Sequence, residues 1–300
     1  MRAAVFERFG PPEVLRVVEL PDPEPGPGEV RVRVRAAGVQ PFDVAVRAGG
    51  MPWVGVTFPS GVGQEYAGVV DRVGPGTGFE VGDEVMGSTM LAGQASALIA
   101  QAANVIRKPP GLAFPAAAAI VAAGQTATGA LRELGVTGDD VLLVHGAAGS
   151  VGTVAVQVAR RMGARVIGTA GPVNHDHLRR LGAVPVAYGE ELVLNVAATG
   201  LTPTVALDAA GAEAIAASVA LGIPRDRIGT IVDDKAAAEH GIRVVRAPRD
   251  PARLAEVARL AADGGLVMPL RAYPLSQVAD AHADVATGHG RGKVILIIEP

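Results

Sequence analysis

Apolar residues form short unbroken runs in the second half of the chain and alternate with charged residues in the first. That contrast predicts two kinds of sheet. From about Pro115, valine-rich runs at 141–145, 165–169, 184–187, 204–208, 228–232 and 242–245 are separated by alanine-rich stretches with helical spacing. Runs that are apolar at every position suit strands buried on both faces. Their alternation with helices implies right-handed crossovers and a parallel sheet. Six such strands fit a doubly wound unit. The first hundred residues predict short strands at 1–6, 13–19, 29–35, 68–73 and 81–85, with a turn-rich connector at 21–28. In 29–35 charged residues alternate with valine, which predicts a half-exposed strand. The closing run 292–298 is apolar and is expected to return to the first domain.

The first parallel-type strand runs into His145-Gly-Ala-Ala-Gly-Ser-Val-Gly152. Strand, glycine turn, helix and second strand in that order are the opening of a dinucleotide-binding unit. Of the three glycines, one permits a sharp turn, one lets backbone amides approach a pyrophosphate, and one lets helix and sheet pack closely. The helix N-terminus adds unpaired N–H groups and partial positive charge. The predicted cofactor contacts here are Gly146, Ala147, Ala148, Gly149, Ser150, Val151 and Gly152. The helix is predicted over 150–162, with Val154, Val158 and Met162 on its apolar stripe and Gly163 as its stop. A tight turn that holds no ligand is the alternative reading.

The end of the second strand bears on which nicotinamide cofactor fits. An NAD site places Asp or Glu there to hold the ribose hydroxyls. Here the stretch is Thr169-Ala-Gly-Pro-Val-Asn174-His175, with no acid before Asp176. NADPH is favoured over NADH, with Thr169, Asn174 and His175 as donors to a 2′-phosphate. The competing role for Asn174 is to cap the following helix. Arg179 and Arg180 are expected to be solvated.

Composition narrows the function classes. Across 300 residues, 49% are hydrophobic and 19% charged, enough for a sizeable core in one large or two modest domains. A net charge of −3 with dispersed Lys and Arg gives a nucleic-acid partner no support. No unbroken apolar stretch of membrane-spanning length and no signal-peptide pattern is seen, so a cytoplasmic protein is expected. With no cysteine there is no disulfide, no thiolate-held zinc and no nucleophilic thiol.

Several segments, in order, resemble the medium-chain dehydrogenase/reductase superfamily, in its zinc-independent quinone oxidoreductase branch. They are Ala37-Gly-Val-Gln40-Pro-Phe-Asp43, Gly63-Gln-Glu-Tyr-Ala-Gly68, Val81-Gly-Asp-Glu-Val85, Gly124-Gln-Thr126, the glycine turn, and 281–294. The resemblance implies an α/β protein with a GroES-like, partly open β-barrel catalytic domain and a Rossmann domain with a doubly wound parallel sheet. The catalytic domain is expected at 1–120, with 267–300 returning to it, and the NADP-binding domain at 121–266. It also implies an active-site cleft between the domains and a homodimer. Gln40 and Thr126 would face the nicotinamide and ribose, and Tyr188 would lie near the adenine. Asp43 would position the first loop or only brace it. No residue is assigned a certain catalytic role. Zinc-bearing relatives have Cys and His where this chain has Gln40 and Gln64. Neutral amides are poor zinc ligands, so no metal is expected.

Without a Lewis acid, electron-poor acceptors are favoured. The expected activity is hydride transfer from NADPH to a quinone or an α,β-unsaturated carbonyl of small size. Tyr66 is expected in the core rather than as a proton donor. Trp53 is open between lining an apolar pocket and ordinary packing. The loop Met86-Gly-Ser-Thr-Met-Leu-Ala-Gly93-Gln-Ala-Ser-Ala97 lacks the Tyr and Glu of the Gly-x-Tyr-Ala-Glu pattern common in the family. Two rivals are a non-catalytic NADPH-binding sensor or structural protein, and a scaffold with an empty site.

Overall fold

The computed structural model describes residues 1–299. The chain divides into two compact units, one formed by Met1–Ala122 with Arg249 onward, the other by Ala123–Pro248. Both confirm the expected fold class, and each is described by itself.

In the first unit the strands are β1 (Arg2–Phe6), β2 (Arg16–Glu19) and β3 (Glu29–Val39), followed by helix α1 (Pro41–Arg47). Strands β4 (Ser60–Gly61), β5 (Glu65–Val73), β6 (Glu84–Ser88), β7 (Ala97–Gln101) and β8 (Val105–Arg107) come next. The expected strand at 13–19 is shorter, because Pro11 and Pro12 divert the chain into a 3₁₀ turn at Pro12–Val14. Strand β3 organises this unit. One edge pairs with β5 throughout, and the other is shared between β7 at residues 29–33 and the chain's last strand at residues 36–39. Register shifts beside Val32 and Val34 let the sheet curl into a partly open barrel.

The predicted half-exposed pattern of β3 holds at Glu29, Arg33 and Arg35, which are part-exposed between buried valines; Arg31 departs from it. Arg31 is buried, and both Arg31 and Arg33 bond the Asp71 carboxylate, at 2.8 Å and 2.6 Å through their Nε atoms. Neutralised this way, Arg31 can be buried. Val30, Val32 and Val34 then join Tyr66, Val70, Val85 and Leu98 in the core.

Helix α2 (Phe114–Glu133) carries the chain into the second unit. By length and mean hydropathy it could cross a membrane, although Gln125, Thr126 and Thr128 interrupt its apolar run. Most of it is buried, as in a core helix.

The second unit follows the predicted alternation: β9 (Val141–His145), α3 (Ser150–Arg161), β10 (Arg165–Thr169), α4 (His175–Arg180), β11 (Val184–Val186), α5 (Leu192–Ala197), β12 (Val205–Asp208), α6 (Ala212–Ala220), β13 (Ile228–Thr230), α7 (Asp234–His240) and β14 (Arg243–Val244). All pairings are parallel, in the order β11-β10-β9-β12-β13-β14, so the order reverses beside β9. That reversal is where ligands bind in such sheets. The buried face of α3 is not the predicted valine stripe. Gly152, Ala155, Val156 and Ala159 turn inward with Val154, while Val158 is half-buried and Met162 exposed. Small side chains let the helix lie close to the sheet.

The chain ends with α8 (Pro251–Ala262), β15 (Leu270–Pro274), α9 (Val278–Ala286) and β16 (Lys293–Ile297). The last strand returns to β3 as predicted. The boundary between units falls at Pro248/Arg249 rather than at 266/267, because α8 packs in the first unit against β8. Helical spacing identifies α8 but not the sheet it covers.

Candidate active site

The glycine turn leaves β9 through Gly146, whose φ of +69° suits a residue without Cβ. At Gly152 an added Cβ would lie 2.4 Å from the Gly146 carbonyl oxygen and 2.6 Å from the Ala147 Cα, so only glycine closes this turn. Gly149 is the N-cap of α3 and has no side-chain cap. The first N–H groups of a helix have no intrahelical acceptor, so those of Ser150, Val151 and Gly152 point toward an anion position. A Cβ at Gly149 would meet only the Gly146 oxygen, at 3.4 Å. The cradle is open at Gly149 and closed at Gly152, which fits a pyrophosphate.

A hydrogen-bond chain braces this turn from beneath. His145 is fully buried, and burial pulls its imidazole down to about 4, so the ring is neutral. The Ser218 hydroxyl donates to the Ala214 carbonyl at 3.0 Å, so His145 Nε2–H donates to Ser218 Oγ at 2.8 Å. His145 Nδ1 is then an acceptor for Thr169 Oγ1 at 3.5 Å, and Thr169 in turn accepts the Gly146 N–H at 3.3 Å. The motif made the glycines legible, but nothing local in the sequence pointed to His145 and Ser218 as their support.

Each of the three expected phosphate donors has a partner within the protein. Thr169 is buried with its hydroxyl committed to the turn. His175 bonds the Ala170 carbonyl at 3.1 Å, and Asn174 is buried and engaged within the protein. Asn174 makes no side-chain cap to α4. His177, on the same helix, is buried. Arg179 and Arg180 are solvated as expected, Arg179 pairing with Asp176 at 2.6 Å. Tyr188 is exposed beyond β11, and its ring flanks Gly171. No carboxylate stands at the end of β10. Thr126 is half-buried on α2.

The first unit holds a compact polar cluster. Gln40 is the N-cap of α1, Pro41 its first residue and Asp43 its third helical residue. The Asp43 carboxylate accepts the Gln40 backbone N–H at 2.9 Å, one half of a capping box. Burial raises the Asp43 carboxyl to about 7, with Lys293 and the Gln40 N–H opposing and Glu65 adding to the rise. The Gln40 Nε2 is buried and has no hydrogen-bond partner among the described residues. A buried idle amide donor is costly unless a ligand acceptor satisfies it. Beside Gln40 on the same helix, the Phe42 ring lies 5.7 Å from Trp53, which is otherwise 71% exposed.

The positions where relatives hold zinc do not assemble a metal site. Gln64 Nε2 bonds Met90 Sδ at 3.6 Å. Glu65 is fully buried, pairs with Lys293 and accepts the Ala122 N–H at 2.8 Å. Two neutral amides and one carboxylate already neutralised do not fit tetrahedral zinc. Tyr66 is in the core as expected, its hydroxyl without a partner and pushed up by burial.

Comparison with known proteins agrees with this architecture. Residues 26–140 match the family described as Alcohol dehydrogenase GroES-like domain, and residues 181–296 match Zinc-binding dehydrogenase. A polyketide synthase component of Streptomyces venezuelae is 37% identical over 284 residues, 84% of this chain, and the chain spans 8% of that protein's length. The structure of the quinone oxidoreductase from Coxiella burnetii superposes with a TM-score of 0.92 at 28% identity, covering 100% of this chain and 99% of that one. A mycobacterial protein solved with NADPH gives 0.87 at 28% identity, covering 99% of each. The chain belongs to the medium-chain dehydrogenase/reductase family. It is an oxidoreductase of that family, with quinone oxidoreductases among its relatives and a nicotinamide dinucleotide as its cofactor.

Proposed function

We propose that this protein is an NADPH-dependent, zinc-independent reductase of small electron-poor acceptors, quinones or α,β-unsaturated carbonyls. The observation that carries the reading is the donor set of the first unit. Gln40 and Gln64 replace metal ligands, and the Gln40 Nε2 is buried and idle. NADPH supplies the hydride. The chain's own residues bind, orient and exclude water.

The N–H groups at the start of α3 hold the pyrophosphate, and the chain through Thr169, His145 and Ser218 keeps the turn rigid. The end of β10 carries no acid to repel a 2′-phosphate, and a similar protein was solved with NADPH. The exposed Tyr188 ring offers an adenine a stacking face. Thr126 is assigned to the nicotinamide ribose. Gln40 donates a neutral hydrogen bond toward the reacting end. A neutral donor polarises a carbonyl less than a metal does, which suits acceptors that need little activation. The exposed Trp53, packed against the half-buried Phe42, provides apolar surface beside that donor.

The test is NADPH consumption by purified protein offered an ortho-quinone and, separately, an unsaturated ketone. Turnover with either supports the reading and names the acceptor class. NADPH binding without turnover of either would favour a cofactor-binding sensor.

A further inference from the structure

We propose that Gln94 is a positioning residue: its buried amide ties Asp43 to His282 and so sets how the helix α1 cap presents Gln40. The proposal deepens the reading above, since it rests on Gln40 facing the reacting end.

Gln94, Asp43 and His282 are each almost wholly buried, and they come from three separate parts of the first unit. Gln94 lies on the segment between β6 and β7, Asp43 on α1 and His282 on α9. The Gln94 Nε2 is forked between the Asp43 Oδ2 and the Gly38 carbonyl, each at 3.4 Å. Its Oε1 accepts from His282 Nε2 at 2.9 Å. The orientation of the amide is dictated: turned over, its oxygen would face two acceptor oxygens. His282 must therefore carry its proton on Nε2. Its Nδ1 has no partner among the described residues, and burial with the Arg47 charge holds the ring neutral.

One route runs from His282 through Gln94 and the Asp43 carboxyl to the Gln40 backbone N–H. The charged groups around Asp43 are Lys293 on β16 and Glu65 on β5; Arg47, on its own helix, acts on His282. The Gln94 backbone is fixed independently, its N–H donating to Val62 and its carbonyl accepting from Ala4. Loss of the side chain should leave that segment in place. Gln94 also stands in the segment that departs from the family's Gly-x-Tyr-Ala-Glu pattern.

The experiment compares wild type, Gln94→Leu and Gln94→Glu. It reads acceptor kcat and KM against pH, NADPH affinity, the ring ¹⁵N signals of His282 and the carboxyl ¹³C titration of Asp43. Gln94→Leu should lower kcat about tenfold or more, as for a misplaced reacting group, with NADPH affinity unchanged. Its Asp43 titration, and any pH limb that follows it, should move up by about one unit, because a donor to the ionised form is lost. His282 should lose its fixed tautomer. Gln94→Glu restores an acceptor for His282 but puts an anion beside Asp43. It should restore the tautomer and move the Asp43 titration further up. Unmoved Asp43 and His282 signals in both variants would overturn the proposal, as would a uniform loss of stability and activity with no pH shift. If wild type turns over no acceptor, the functional reading fails, and the two NMR signals still decide the link. If Gln94→Leu does not fold, Gln94→Glu decides it.

Discussion

The Asp43 carboxylate accepts the Gln40 backbone N–H at 2.9 Å, so a buried acid caps the helix that carries the idle Gln40 amide. Burial favours the neutral form of this acid, raised to about 7 from 3.8. The unfolded chain therefore loses the Asp43 proton at lower pH than the folded one. Rising pH costs stability between those two values and no more above them. Asp43→Asn keeps an acceptor for Gln40 and removes the ionisation. It should gain on wild type as pH rises from 4 to 7, by a few kcal/mol at the plateau. Denaturant unfolding across that range measures it; a constant difference would contradict the burial of an ionisable Asp43.

Glu65 and Lys293 form an ion pair sealed from solvent, and Glu65 also takes the Ala122 N–H. Removing one partner strands a buried charge. Lys293→Met alone should cost about 3–5 kcal/mol. Glu65→Gln with Lys293→Met should cost less than the two single changes added together, since no charge is stranded. Urea unfolding of the four proteins gives the coupling.

Gly149 and Gly152 should separate folding from binding. Gly149→Val adds bulk to the open side of the turn, where a Cβ makes ordinary contact. Its melting temperature should stay near wild type while NADPH affinity falls about tenfold or more, through loss of the anion position. Gly152→Ala forces a Cβ onto backbone atoms and should destabilise the fold itself. Calorimetric titration and thermal melts read both.

Gly171 follows the end of β10 in an ordinary backbone conformation, with only the Tyr188 ring near an added Cβ. Gly171→Asp restores an acid to this turn. Repulsion of a 2′-phosphate should weaken NADPH about tenfold while NADH is held or improved. Equal loss for both cofactors would contradict NADPH selectivity at this turn.

The centre of the parallel sheet was legible because a strand buried on both faces writes itself as an unbroken apolar run, as Val141–Val144 does. The glycine turn was legible because close backbone approach restricts Gly152 to one residue type. Two kinds of feature were hidden. Arg31 read as solvent-facing because its neutraliser, Asp71, lies on another strand. The inward face of α3 was misread because small residues, not valines, permit close packing. In the candidate site, the sequence does not show that the Thr169 hydroxyl meets the His145 ring or that His175 meets the Ala170 carbonyl. Gln94 and His282 meet across 188 positions, and only the fold joins them.

The account turns on reduction without a metal, so the most direct measurement is the rate of NADPH oxidation with an ortho-quinone before and after exhaustive chelation. The account predicts the same rate in both preparations. A rate lost on chelation and restored by added zinc would contradict it.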